Sequence, residues 1–189
     1  NANDGEPGHM RPGVAVLSRF GFVGQPEIIQ DLSPALEISF EDAGSFKIDR
    51  LSRPILKVKI PVGDKVVTVF NCHLKSKLGE FAGNEADLTK YDAAGRALGS
   101  LRAGLRRMAE AWVLRREIVA ELKAGHPVIV MGDFNDSEHA VSSEIIAGEK
   151  PFKNYSWMLR HNAKAGNDRY SREENEYIQE AIASVHLHS

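Results

Sequence analysis

A mixed α/β domain is the fold class that this sequence predicts, and three observations predict it. Residues 55–60 and 66–72 are apolar runs joined through Gly63-Asp64, the pattern of a tight antiparallel hairpin. Residues 97–124 carry apolar side chains at steps of three and four, the pattern of a long helix. Residues 127–131 are a short apolar run that stops in a polar cluster, as a buried strand does at the rim of a sheet. Strand, hairpin, long helix and strand in 189 residues suggest one continuous core.

Each element follows from local chemistry. Residues 1–13 are rich in Gly, Pro and polar side chains and read as loop. Val14-Ala15-Val16-Leu17 reads as a short buried strand ending at Ser18-Arg19, and prolines and glycines between 12 and 26 mark turns. Residues 48–54 lead into the first hairpin strand, where Val58 and Ile60 alternate with Lys57 and Lys59. Residues 77–95 are polar and contain glycine, and are expected as an exposed excursion near the rim. Leu98, Leu101, Leu105, Met108, Trp112, Val119 and Leu122 form the apolar stripe of the helix, with Gly125 as its terminator and Pro127 just beyond. The strand at 127–131 is expected to be fully buried. Residues 140–147 and 173–185 read as shorter helices, the second acidic at its start and followed by histidines, as the helix dipole favours.

Composition narrows the function classes. Hydrophobic residues make up 42% and charged residues 26%, which suits a globular domain and not a disordered chain. No apolar run nears the roughly 18–20 residues that cross a bilayer, so no membrane span is expected. The formal net charge of −2 excludes a strongly basic nucleic-acid coat, though not a local basic face. The single cysteine, Cys72, excludes an internal disulfide and leaves the localisation open.

Two strand ends carry the chemistry. Gly132-Asp133-Phe134-Asn135-Asp136 follows a buried strand directly, and in extended geometry Asp133 and Asn135 point to the same side. A carboxylate there binds a hard cation or orients a water, and a neighbouring amide holds a phosphate oxygen without adding repulsive charge. Alone, the cluster equally suits an Asx-rich turn. Asn71-Cys72-His73-Leu74-Lys75-Ser76-Lys77 also closes a strand. By parity Asn71 and His73 share the face of Val67 and Val69, and Lys75 and Lys77 add positive charge suited to a phosphorylated substrate. Cys72 points the other way and reads as a small core residue, not a nucleophile.

Competing readings fall on particular residues. A calcium loop through Asp133, Asn135, Ser137 and Glu144 fails because its sixth position is Glu138 and not Gly, and a strand precedes it. Gly132 to Asp136 also resembles one block of the calcineurin-like two-metal phosphoesterases, but their other His-bearing blocks are not in the sequence. Arg96, Arg102, Arg106, Arg107, Arg115 and Arg116 are opposed by Glu110 and Glu117, and read as a solvated helix face in preference to a nucleic-acid contact. His161, His186 and His188 have no metal spacing with an acidic partner and read as surface residues.

The ordered set Val14-Ala15-Val16-Leu17-Ser18-Arg19, Asn71 to Lys77, an Arg- and Ala-rich helix, and Val128 to Asp136 resembles the endonuclease/exonuclease/phosphatase superfamily, the DNase I-like group. The resemblance covers roughly residues 10–140. It implies a two-sheet α/β sandwich with outer helices and an active site at one edge of the sheets. It further implies cleavage of phosphoester bonds by water with Mg²⁺, or with Mn²⁺ or Ca²⁺ in its place. By motif, His73 would hydrogen-bond the scissile phosphate, Asp133 would orient or deprotonate the water near the metal, and Asn135 would hold this array and contact the phosphate. Arg19, Asn71 and Lys75 would bind substrate, and Asp133 would be a metal ligand.

The family's Asn-bearing first strand and Glu-bearing block have no counterpart in residues 1–13, and its closing Asp-His block has none after residue 140. The chain is therefore expected to be a single partial domain over 1–189, with insertions at 77–95 and 150–189, the principal Glu ligand upstream, and no activity on its own. The expected function is a metal-dependent phosphodiesterase or nuclease-like hydrolase. The alternatives are a non-catalytic binding or scaffold domain that keeps the fold, and a phosphomonoesterase of a small substrate. Relatives handle DNA, RNA, phospholipid head groups and sugar phosphates, and the net charge argues against tight nonspecific DNA binding. No obligate protein partner is evident.

Overall fold

The computed structural model describes residues 13–40, 44–81, 91–148 and 172–187. The chain divides into two compact units, residues 1–146 and 147–189. In the first unit, strands β1 (Glu27–Phe40), β2 (Gly44–Val62), β3 (Lys65–His73) and β4 (Val128–Asp133) form one four-stranded sheet in the order β1-β2-β3-β4. The first two pairings are antiparallel and the β3–β4 pairing is parallel. A parallel pair needs a crossover, and helix α1 (Ala93–Lys123) supplies it. Helix α2 (Val141–Ala147) follows β4. In the second unit helix α3 (Arg172–Val185) is described, with the Leu187 N–H donating to the Ala147 carbonyl at 2.9 Å. The sheet and its helices are the α/β class the sequence predicts; all four described strands belong to one sheet, and the second sheet of the sandwich is not among them.

The hairpin forms where the period of two placed it. Val58 pairs with Val69 and Val62 with Lys65, and Gly63 turns with a φ of 63° that a side chain would strain. Strand parity then gives the sheet two different faces. Leu56, Val58 and Val69 pack with Ile60, Val67, Val14 and Val16 on one face. Thr68, Lys57 and Lys59 point to the other, where Glu121 of α1 meets them.

Several elements differ from the sequence reading. β1 is a strand of 14 residues that was not expected, although Leu36, Ile38 and Phe40 alternate as strand residues do. Its pairing with β2 is broken by irregularities between Ile29 and Asp31 and between Asp31 and Leu36, which interrupts the simple period. The 14–17 segment is not a buried strand. Val14 makes an isolated bridge, Val14 and Val16 rest on the sheet, and Leu17 is 97% exposed. β4 is not fully buried either, since Ile129 and Met131 are 48% and 43% exposed. β4 ends the described strand order, and α1 covers the face opposite to these two side chains.

α1 starts at Ala93, with Asp92 as N-cap, so the end of the expected 77–95 excursion is helical. Residues 82–90 lie outside the described residues. At its other end the excursion is anchored: Glu80 donates its N–H to the Gly99 carbonyl at 2.9 Å and pairs with Arg106. Gly125 ends α1 with a φ of 80°, as its composition predicts. The buried face of α1 is not the Leu-rich stripe. It runs through Gly95, Gly99, Arg102, Ala103, Glu110, Val113, Leu114, Ile118 and Glu121, while Leu101 and Trp112 are exposed. Small residues let the helix approach the sheet, and its buried charges find partners there. A Cβ at Gly99 would press on the Phe81 ring.

Candidate active site

β3 and β4 run parallel, so their C-terminal ends lie side by side. Cys72 pairs with Gly132 and His73 with Asp133, and the Leu74 N–H extends the ladder by donating to the Asp133 carbonyl at 2.9 Å. Gly132 has a φ of 131°, and a Cβ there would collide with the Cys72 carbonyl. Glycine is what lets β4 close on β3 one residue before Asp133. The His73 Nε2 lies 3.7 Å from the Asp133 Oδ2, too far for a hydrogen bond. The Asp133 side chain is 62% exposed and that of His73 22%.

Asn135 completes the cluster by folding back on it. Its φ of 53° lies in the left-handed region that Asn tolerates. Its N–H donates to the Asp133 Oδ1 at 2.8 Å, and its Nδ2 donates to the Leu74 carbonyl at 2.8 Å. One bond orients the carboxylate, and the other ties the exit of β4 to the exit of β3. The structure thus brings His73, Asp133 and Asn135 to one end of the sheet, where a rigid core presents side chains to solvent.

A fourth residue reaches this place that sequence reasoning missed. Arg53 NH1 donates to the same Leu74 carbonyl at 3.3 Å. Burial first, and then the positive charge of Arg53, holds His73 below the usual histidine range, against the opposite pull of Asp133 and Glu110. The imidazole is therefore neutral at neutral pH. The signal for Arg53 was available in the hairpin register, because Leu56 pairs with Asn71 and earlier residues of β2 run past the end of β3.

The three expected substrate-binding residues are placed differently. Asn71 spends its Nδ2 on the Ala15 carbonyl at 2.9 Å, which pins the 14–16 segment to the sheet. Lys75 turns its ammonium back on its own loop, donating to the Leu78 carbonyl at 2.8 Å and the Ser76 carbonyl at 3.4 Å. Arg19 lies 4.7 Å over the Phe20 ring in an exposed turn. Cys72 is buried, and burial pushes its thiol up to about 12, which suits a core residue. His186 lies with its Nδ1 3.2 Å from the Gly148 carbonyl, and His161 and His188 lie outside the described residues.

The arginines of α1 are mostly not a solvated face. Arg102 is buried, and Arg106 pairs with Glu80 and donates to the Arg50 carbonyl at 3.1 Å. Arg107 pairs with Asp136 at 2.9 Å, while Arg96 and Arg116 keep the exposed character expected of them. Asp136 also takes Lys77 at 3.0 Å and the Ser142 hydroxyl at 2.8 Å. Burial alone would raise its carboxyl, but Ser142, Lys77 and Arg107 outweigh burial and hold it well below the ordinary range. Arg107 lies beside the site, where the Asp136 carboxylate and the Lys75 carbonyl accept its guanidinium.

Among the described residues, no three His, Cys, Asp or Glu side chains come together to hold a metal ion. Asp133 is exposed, and the nearby Asp136 is committed to Arg107, Lys77 and Ser142. These residues alone do not fit the six-coordinate oxygen shell that Mg²⁺ prefers. No helix among the described residues is long and apolar enough to cross a membrane.

The model of the Endonuclease/Exonuclease/phosphatase family matches residues 2–150 of the chain. No curated protein and no solved structure matches the chain.

Proposed function

The chain belongs to the endonuclease/exonuclease/phosphatase family, which acts on phosphoester substrates, and on that premise we propose that it is a phosphodiesterase or nuclease-like hydrolase with water as nucleophile. The observation that carries this reading is the pairing of His73 with Asp133 at the ends of two parallel strands, with Asn135 folded back onto both.

Each residue then has work suited to its surroundings. Neutral His73 donates a ring N–H to a phosphate oxygen and supports the charge that develops there. Arg53 supplies positive charge beside it, its NH1 donating to the Leu74 carbonyl. Asp133, exposed and fixed by the Asn135 N–H, orients the attacking water and accepts its proton. The gap of 3.7 Å between His73 and Asp133 separates the phosphate-facing group from the water-facing one. Mg²⁺, with Mn²⁺ or Ca²⁺ as substitutes, is part of the proposal on the family's ground, with Asp133 contributing one ligand.

The test is hydrolysis of bis-p-nitrophenyl phosphate and of plasmid DNA by the protein expressed from its complete reading frame, with and without Mg²⁺. Metal-dependent cleavage that His73→Ala lowers about a hundredfold or more supports the reading. A folded protein that binds a phosphodiester but does not cleave it supports the non-catalytic domain instead. Preference for p-nitrophenyl phosphate over the diester would point to a phosphomonoesterase.

A further inference from the structure

The peptide of Lys75 is gripped from both sides by one turn of α1. Glu110 Oε2 accepts its N–H at 2.6 Å, and Arg107 NH1 donates to its carbonyl at 3.2 Å. Arg107 and Glu110 are three residues apart, so they project from the same side of the helix. Each also holds a second element, Arg107 the segment that leaves β4 and Glu110 the middle of β2. Arg107 Nε pairs at 2.9 Å with Asp136, the neighbour of Asn135. Glu110 Oε1 accepts the N–H and the hydroxyl of Ser52, the neighbour of Arg53, at 2.7 and 2.6 Å. Between these anchors lies the Leu74 carbonyl, the shared acceptor of Asn135 and Arg53.

We infer that Arg107 and Glu110 are positioning residues, which set the spacing of His73, Asn135 and Arg53 by fixing the peptides next to them. The inference rests on the phosphoester reading above for its catalytic consequence. Its physical basis is that Glu110, buried at 1% exposure, has both oxygens filled by charge-assisted bonds, so its donors have one place to sit. A shift of the 74–75 peptide moves the acceptor of Asn135 and Arg53 together. The electrostatic pull of Glu110 on His73 is a separate and weaker effect than burial.

The test uses Glu110→Gln, Glu110→Ala and Arg107→Lys in the protein expressed from its complete reading frame. Kinetics on bis-p-nitrophenyl phosphate should show kcat falling by about tenfold to a hundredfold while KM moves less than about threefold, as a misplacement near 1 Å does. Arg107→Lys should not rescue, because one ammonium cannot bridge Asp136 and the Lys75 carbonyl as the guanidinium fork does. Unchanged kcat in folded Glu110→Gln and Arg107→Lys, or full rescue by Lys, overturns the inference.

A second readout separates its failure from that of the phosphoester reading. Amide exchange at Leu74 and the side-chain amide signals of Asn135 report the clamp without any turnover. If the unmodified protein cleaves nothing, the phosphoester reading fails, and exchange decides the clamp alone. Faster exchange at Leu74 in Glu110→Gln, with Val69 and Phe70 still protected, supports it; unchanged exchange and unchanged Asn135 signals overturn it. Where Glu110→Ala does not fold, the two conservative variants carry the test.

Discussion

Glu121 and Asp133 are carboxylates at two polar clusters of the same sheet, and they end in opposite states. Glu121, 9% exposed, takes Lys57 at 2.8 Å, Lys59 at 3.2 Å, the Thr68 hydroxyl at 2.9 Å and His126 at 2.7 Å. Asp133, largely in solvent, takes the Asn135 N–H and faces His73 across a gap. Burial alone would raise Glu121, but Lys57, His126, Thr68 and Lys59 bring it down to about 2. Burial would likewise lower Lys57, and its bonds to Glu121 and Glu27 reverse that. A structural cluster closes on itself, with each charge spent on a neighbour. The cluster at Asp133 keeps carboxylate and imidazole apart, with the carboxylate held by the Asn135 N–H. Residue type does not separate the two, since both contain an acid beside a histidine.

The sharpest break of this comparison is Glu121→Ala. It leaves Lys57 and Lys59 without their shared partner in a mostly buried place, and should destabilise the fold by about 3–5 kcal/mol in urea unfolding. Activity per folded molecule should stay unchanged, because Glu121 lies eleven residues beyond Glu110 on α1, roughly 16 Å along the helix. A loss of turnover without a loss of stability would mean that the closed cluster also serves the site.

Asp133→Ala is the converse. It should lower kcat about a hundredfold to ten-thousandfold, as removal of a general base does. Its unfolding free energy should change by about 0.5 kcal/mol or less, the usual range for an exposed position. Stability lost in place of rate would make Asp133 a structural residue and erase the contrast.

Acid sharpens the comparison further. The Glu121 carboxyl in the folded protein sits below its ordinary value of 4.5, so its stabilisation is complete above that pH and is lost as pH falls toward about 2. Asp136 adds to this loss in the same direction. Melting temperature followed over that window should fall in the unmodified protein, fall less steeply in Glu121→Gln, and fall in Asp133→Asn as it does in the unmodified protein. The smallest effect is expected from Lys75→Ala. Its ammonium is occupied by the Leu78 and Ser76 carbonyls, so KM should change by less than about threefold at moderate salt. A larger change would show that the loop releases Lys75 to the substrate.

The candidate site was partly legible. His73, Asp133 and Asn135 stood out because polar residues closing an apolar strand mark a sheet rim, and that pattern is local. Arg53 was not legible in the same way, because it sits mid-strand before Pro54 and becomes a rim residue only through the antiparallel register. Asn71 and Lys75 carried the right chemistry at the right strand end, yet their polar atoms went to the Ala15 carbonyl and the 76–78 loop. A side chain's address along the chain does not say which acceptor competes for it.

Local chemistry was enough for the α/β class, the hairpin, the termination of α1 at Gly125 and the two polar strand ends. Turn residues and periods of two and 3.6 act over a few neighbours, so they are written in the sequence. The buried face of α1 was decided by the tertiary structure alone. Leu101 and Trp112 looked like core and are exposed, while Gly99, Arg102, Glu110 and Glu121 are buried. The physical reason is that burial depends on how closely a helix can approach the sheet and on which charges find partners there. Glycine and alanine allow the approach, and Lys57, Lys59, Ser52 and the Lys75 peptide, distant in sequence from their carboxylates, make the charges tolerable.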